Sequence, residues 1–187
     1  MRYKSTLIFN SEQEFLNEWY KYNKQDEEKE FREEGATERE INKWKQQWIQ
    51  EEKNIFLKYY HEELENYFQL PTTLIIFRGL VINNYRFFVK NIHIVSRDLG
   101  RHWTSNKNIA LKFTIREYLA HKDKIPIIIT GKISKHQINW KQSILARTSI
   151  EHYWEEEIYL NAGVVPNDLK IEKIDNPTTP LFGKIII

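Results

Sequence analysis

The sequence predicts an α+β protein, with a helical N-terminal portion over residues 1–70 and a strand-rich domain over residues 71–187. Three observations carry that expectation. Apolar residues recur at helical spacing on either side of Gly35-Ala36, each run introduced by a capping box. After Pro71 the periodicity changes to short β-branched and aromatic runs. The charge changes sign at the same place: residues 1–70 hold 11 Lys and Arg against 16 Asp and Glu, and residues 71–187 hold 17 against 10.

In the first portion, Ser11 with Glu14 starts a helix whose apolar positions are Phe15, Leu16, Trp19 and Tyr22. The stretch Asp26 to Glu34 carries six acids in nine residues and reads as a solvated run, ended by Gly35. Thr37 with Glu40 starts a second, long helix through Ile41, Trp44, Trp48, Ile55, Tyr60, Leu64 and Phe68. The tryptophans are expected to pack as core, the alternative being a partner-binding groove. In the second portion, strands are predicted over 72–77, 125–133, 156–160, 169–174 and 181–187. A helix is expected over 106–120, and a short helix or turn over 139–147.

Composition excludes several classes. With 41% hydrophobic and 14% aromatic residues, the 187-residue chain has material for a sizeable core. It has no cysteine, which removes disulfides, thiolate zinc sites and a thiol nucleophile. It has no apolar run of membrane-spanning length, and Met1 to Thr6 lack the features of a secretory signal, so a cytoplasmic protein with no membrane partner is expected. Gly131-Lys132 and Gly183-Lys184 lack the upstream glycine of a P-loop, and no G-x-G-x-x-G or G-x-S-x-G occurs. His61-Glu62-Glu63 opens like a zincin helix, but Glu65 stands where the second histidine belongs; no metal is expected. The basic C-terminal half points to a phosphate-bearing ligand, a nucleotide or a nucleic acid.

Three ordered segments remain. Phe77-Arg78-Gly79-Leu80 places an arginine at the end of a buried strand. Leu99-Gly100-Arg101-His102-Trp103-Thr104-Ser105 is a polar–aromatic strand leading into a helix near Asn106. Glu155-Glu156-Glu157-Ile158-Tyr159-Leu160 brings acids into a strand, and alternation places Glu155, Glu157 and Tyr159 on one face. Two carboxylates side by side require a cation or proton donor opposite them. Singly, each segment has an ordinary reading: a surface ion pair, a core tryptophan with a helix cap, a solvated acidic face.

Together, in this order and spacing, they resemble the ADP-ribosyltransferases of the arginine–serine–glutamate class, over residues 72–187 and including Ala110, Phe113 and Gly163. The resemblance implies a pair of small packed β-sheets around an NAD cleft, with NAD as co-substrate. The family's Ser-Thr-Ser segment reads His102-Trp103-Thr104-Ser105 here, so Thr104 or Ser105 corresponds to the hydroxyl that orients the catalytic glutamate. His102 also resembles the histidine of the other transferase class, without a matching tyrosine.

What the resemblance implies for the chemistry follows residue by residue. Breaking the nicotinamide–ribose bond leaves positive charge on the ribose. Glu157 would stabilise that charge and accept from a ribose hydroxyl, while Glu155 would take a proton from the acceptor. Arg78, with Gly79, His102, Trp103 and Thr104 or Ser105, would hold the dinucleotide. Tyr153 or Trp154, in the loop before Glu155, would contact the target by stacking on a guanidinium. A glutamate at position 155 goes with arginine acceptors in the family. The expected function is therefore mono-ADP-ribosylation of a protein arginine, in the setting of an effector, toxin or phage-encoded modifier. The alternatives are a non-catalytic nucleotide- or partner-binding protein on the same fold, and ADP-ribosylation of nucleic acid.

Overall fold

The computed structural model describes residues 8–92, 99–149, 155–175 and 177. Contacts divide the chain into two compact units: residues 8–70 with 140–149, and residues 71–139 with those from 155 onward.

In the first unit, helix α1 spans Glu12–Glu33 and α2 spans Glu38–Gln69. Ser11 caps α1 by accepting from the Glu14 amide at 3.1 Å. Thr37 and Glu40 form the expected reciprocal capping box on α2. The acidic run forms the last turns of α1 as far as Glu33, and Gly35, at φ +91°, follows in the left-handed region. The core is aromatic. Trp19 lies 3.7 Å from Phe56 and 4.9 Å from Trp48 between ring centroids, and Phe15 stacks on Tyr60 at 4.3 Å. A further helix, Trp140–Arg147, adds Ile144 and Leu145 to this core. Trp19 Nε1 donates to the Thr148 carbonyl at 3.1 Å. Residues 140–149 thus belong with the N-terminal helices, where the sequence reading assigns them to the 71–187 domain.

The second unit is built on one antiparallel sheet. Its strands are β1 (Thr73–Ile82), β2 (His102–Thr104), β3 (Ile125–Ser134), β4 (Glu157–Tyr159) and β5 (Asn167–Lys173), in the order β4-β2-β1-β3-β5. Short helix α3 (Tyr85–Lys90), which the sequence reading does not contain, follows β1. Helix α4 (Lys107–Ala120) follows β2, and the Trp140–Arg147 helix is α5. The expected pair of sheets is corrected: the described residues form a single five-stranded sheet, because β4 and β2 pair onto the edge of β1. The 181–187 strand lies outside the described residues.

The consecutive Ile127, Ile128 and Ile129 of β3 are all buried, so both faces of the strand are covered there, and Ile133 is buried further along. Helix α4 lies directly on β1 at Gly79, where a Cβ would stand 2.1 Å from the Ala110 carbonyl oxygen and 2.3 Å from Thr114 Oγ1. The buried Thr114 hydroxyl donates to the Ala110 carbonyl at 3.0 Å and reaches the Ile127 carbonyl at 3.2 Å, tying α4 to β3.

Candidate functional site

A cavity of about 530 Å³ opens along β1 between α4 and the β2–β4 edge. That is within the range of small-molecule and cofactor sites. Phe77 to Val81 line one side, Ala110, Phe113, Glu117, His121 and Lys124 a second, and His102, Trp103, Thr104, Glu155 and Glu157 a third.

The register explains why three segments distant in sequence meet here. Phe77 faces Thr104 across the β1–β2 ladder, and Thr104 faces Glu157 across the β2–β4 ladder. Directly opposed residues in antiparallel strands project to the same face. Thr104 and Glu157 are therefore cross-strand neighbours, with His102 and Tyr159 two positions along on the same face.

Glu157 has a side chain only 12% exposed, and its Oε1 is hydrogen-bonded to His102 Nδ1. The imidazole is packed beside the Tyr159 ring at 4.3 Å between centroids. Arg78 Nη1 donates to the His102 carbonyl, so the strand-end arginine fixes the backbone from which that imidazole projects. Burial pushes the Arg78 guanidinium below its ordinary pKa, and the Glu157 charge opposes the shift. Its buried Nε has no hydrogen-bond partner among the described residues. Gly100, at φ +74°, turns the chain beside this guanidinium, and Trp103 Nε1 donates to the Gly100 carbonyl at 3.3 Å.

The acidic triplet departs from simple alternation. Glu156 sits in the left-handed region at φ +44°, and the strand begins only at Glu157. Glu155 and Glu157 nevertheless both line the cavity. Glu156 turns elsewhere: Ser105 Oγ donates to its Oε2 at 3.1 Å and Asn106 Nδ2 to its Oε1 at 3.0 Å. Asn106 Oδ1 also caps α4 by accepting from the Asn108 amide. The two candidate hydroxyls thus have different places. Thr104 is buried, lines the cavity and accepts from the Asn106 amide at 3.2 Å; Ser105 holds Glu156 and is not on the cavity wall.

Of the residues singled out in the sequence, the structure brings Arg78, Gly79, His102, Trp103, Thr104, Glu155 and Glu157 to one cavity. Gly79 is there as the place where α4 touches β1. Tyr153 and Trp154 lie outside the described residues. Sequence reasoning missed Glu117, His121 and Lys124. Positions 110, 113, 117 and 121 fall at helical spacing on one face of α4 and the residue after it, so the cavity wall was encoded in that period.

Compared with protein-family models, curated proteins and solved structures, the chain has no match. Among the described residues, no helix is long and apolar enough to cross a membrane.

Proposed function

We propose that the chain is an NAD-dependent mono-ADP-ribosyltransferase that modifies an arginine side chain of a protein. The observation that carries this reading is the meeting of Arg78, His102, Thr104, Glu155 and Glu157 at one cavity, from three segments that share only the transferase order in sequence. The donor set suits a dinucleotide. Arg78 lines the cavity with a planar, permanently charged guanidinium suited to a phosphate or ribose oxygen. Phe113, Gly79 and Ala110 supply the apolar part of the same wall.

NAD supplies an activated carbon–nitrogen bond whose electron pair leaves with neutral nicotinamide. Glu157, shielded from solvent and held by His102, places a carboxylate where positive charge develops on the ribose. Glu155 at the same cavity takes the proton that the incoming guanidine nitrogen loses on bonding to the ribose carbon. Arg78 supplies a positive charge that acts on Glu157, and His102 supplies a hydrogen-bonding ring nitrogen to the same carboxylate.

Glu157→Gln is the direct test. Loss of a preorganised electrostatic partner lowers turnover by roughly 10²–10³-fold. Incubation with labelled NAD and a lysate, then mass spectrometry of the labelled residue, should show label on arginine with wild type and almost none with Glu157→Gln. Equal labelling by both proteins removes the proposal.

A further inference from the structure

The transferase reading leaves open which group orients Glu157, since the resemblance assigns that task to a hydroxyl of Thr104 or Ser105. We infer that His102 does it: His102 is a positioning residue whose Nδ1–H holds the Glu157 carboxylate in its working orientation. The inference rests on the proposed transferase activity and adds a role that activity does not itself require.

Four observations lead there. Ser105 is engaged elsewhere, donating to Glu156, which also accepts from Asn106. Thr104 Oγ1 accepts from the Asn106 amide at the turn into α4, and, although Thr104 stands opposite Glu157, its hydroxyl makes no hydrogen bond to that carboxylate among the described residues. His102 lies diagonally across the β2–β4 ladder from Glu157, a spacing that a long side chain spans, and its Nδ1 meets Glu157 Oε1. Finally, the imidazole is itself held: Tyr159 packs against one side of it, and Arg78 Nη1 anchors its backbone carbonyl.

The arrangement has a chemical logic. Glu157 begins a three-residue strand directly after a residue at φ +44°; the β2 ladder sets its backbone, and a side-chain hydrogen bond sets the direction of its carboxylate. A planar donor packed on one side by the Tyr159 ring and projecting from a backbone that Arg78 anchors restrains one oxygen and leaves the other for substrate. Arg78, Glu117, Lys124 and Glu155, with the titratable His121, also line the cavity that holds this pair.

The test uses the side-chain geometry of asparagine, whose amide occupies the place of the imidazole Nδ1. His102→Ala, His102→Asn and His102→Gln are compared with wild type in NAD cleavage. A misplaced reacting group costs up to about 10²-fold. His102→Ala should lower kcat by at least about tenfold with KM changed less than about twofold, and His102→Asn should recover most of the loss. His102→Gln, with its amide at the Nε2 position, should not. A rise in KM with kcat intact would assign His102 to substrate contact alone and overturn the inference; so would an asparagine variant no better than alanine.

Imidazole 15N spectra give an independent readout that needs no turnover and no His102 variant. At neutral pH the His102 Nδ1 signal should move when Glu157 is replaced by glutamine. An unmoved signal refutes the pair. A moved signal in a protein whose wild type never cleaves NAD refutes the transferase reading, and the positioning role with it, while leaving the hydrogen bond in place.

Discussion

Glu155 and Glu157 reach the same cavity by different backbone routes, and their roles separate for that reason. Glu157 begins β4 and is restrained by the ladder to β2 and by His102. Glu155 precedes the left-handed turn at Glu156, outside the strand, so its carboxylate enters the cavity without the ladder's constraint. A group that meets an acceptor arriving from solvent suits the second position; a group that must be in place before bond cleavage suits the first. Glu155→Gln is therefore expected to suppress transfer to arginine while NAD hydrolysis to free ADP-ribose and nicotinamide continues, because water replaces the guanidine. Measuring nicotinamide release alongside protein labelling checks it. Parallel loss of both signals would place Glu155 in the cleavage step instead. Removing Glu157 abolishes both.

At the scale of elements, the site depends on how closely α4 approaches β1. The contact at Gly79 leaves no room for a methyl group: the nearest obstacle is backbone, the Ala110 carbonyl oxygen, not a flexible side-chain tip. Gly79→Ala must therefore displace α4 as a whole, at a cost of about 1–3 kcal/mol for overpacking. The displacement also widens or skews the cavity wall carried by Ala110, Phe113 and Glu117. Thermal unfolding should show a lowered Tm, and NAD turnover should fall by more than the unfolded fraction accounts for. A variant as stable as wild type would mean that α4 can shift freely. This contact also shows what a single sequence can carry. The N-cap at Ser11, the capping box at Thr37, the isoleucine run of β3 and the existence of a helix over 106–120 are local signals, and each was legible, although the buried face of that helix was not. The β2–β4 ladder was not: its strands are three residues each, joined across more than 50 positions, and a one-residue slip exchanges the two faces. Choosing between Thr104 and Ser105 depended on that register alone. The left-handed Glu156 was hidden too, since such a backbone is usual for glycine and uncommon for glutamate. Grouping residues 140–149 with the helices needed the Trp19–Thr148 hydrogen bond, which no pattern within either segment announces.

For the whole molecule, charge distribution decides between acceptors. Residues 71–187 carry 17 Lys and Arg against 10 Asp and Glu, an excess that suits a dinucleotide and would also suit nucleic acid. Part of that positive charge is spent locally: Lys107 pairs with Glu172 at 2.5 Å, Lys132 with Asp168 at 2.9 Å, and Lys173 with Asp175 at 3.2 Å. The Lys132 ammonium holds the Asp168 carboxyl below its usual pKa, so this pair persists through neutral pH. Arg78, by contrast, is committed to the cavity and to the His102 carbonyl. A pyrophosphate presents two phosphates, whereas a nucleic-acid surface built on 6–10 phosphate contacts loses about 10³–10⁵ in affinity between 50 and 200 mM salt. Protein labelling at subsaturating NAD should therefore fall by less than about tenfold across that range, with the label remaining on arginine. Transfer to purified DNA or RNA that collapses over the same interval would reassign the acceptor to nucleic acid and leave the roles of Glu157 and Arg78 in cleaving NAD untouched.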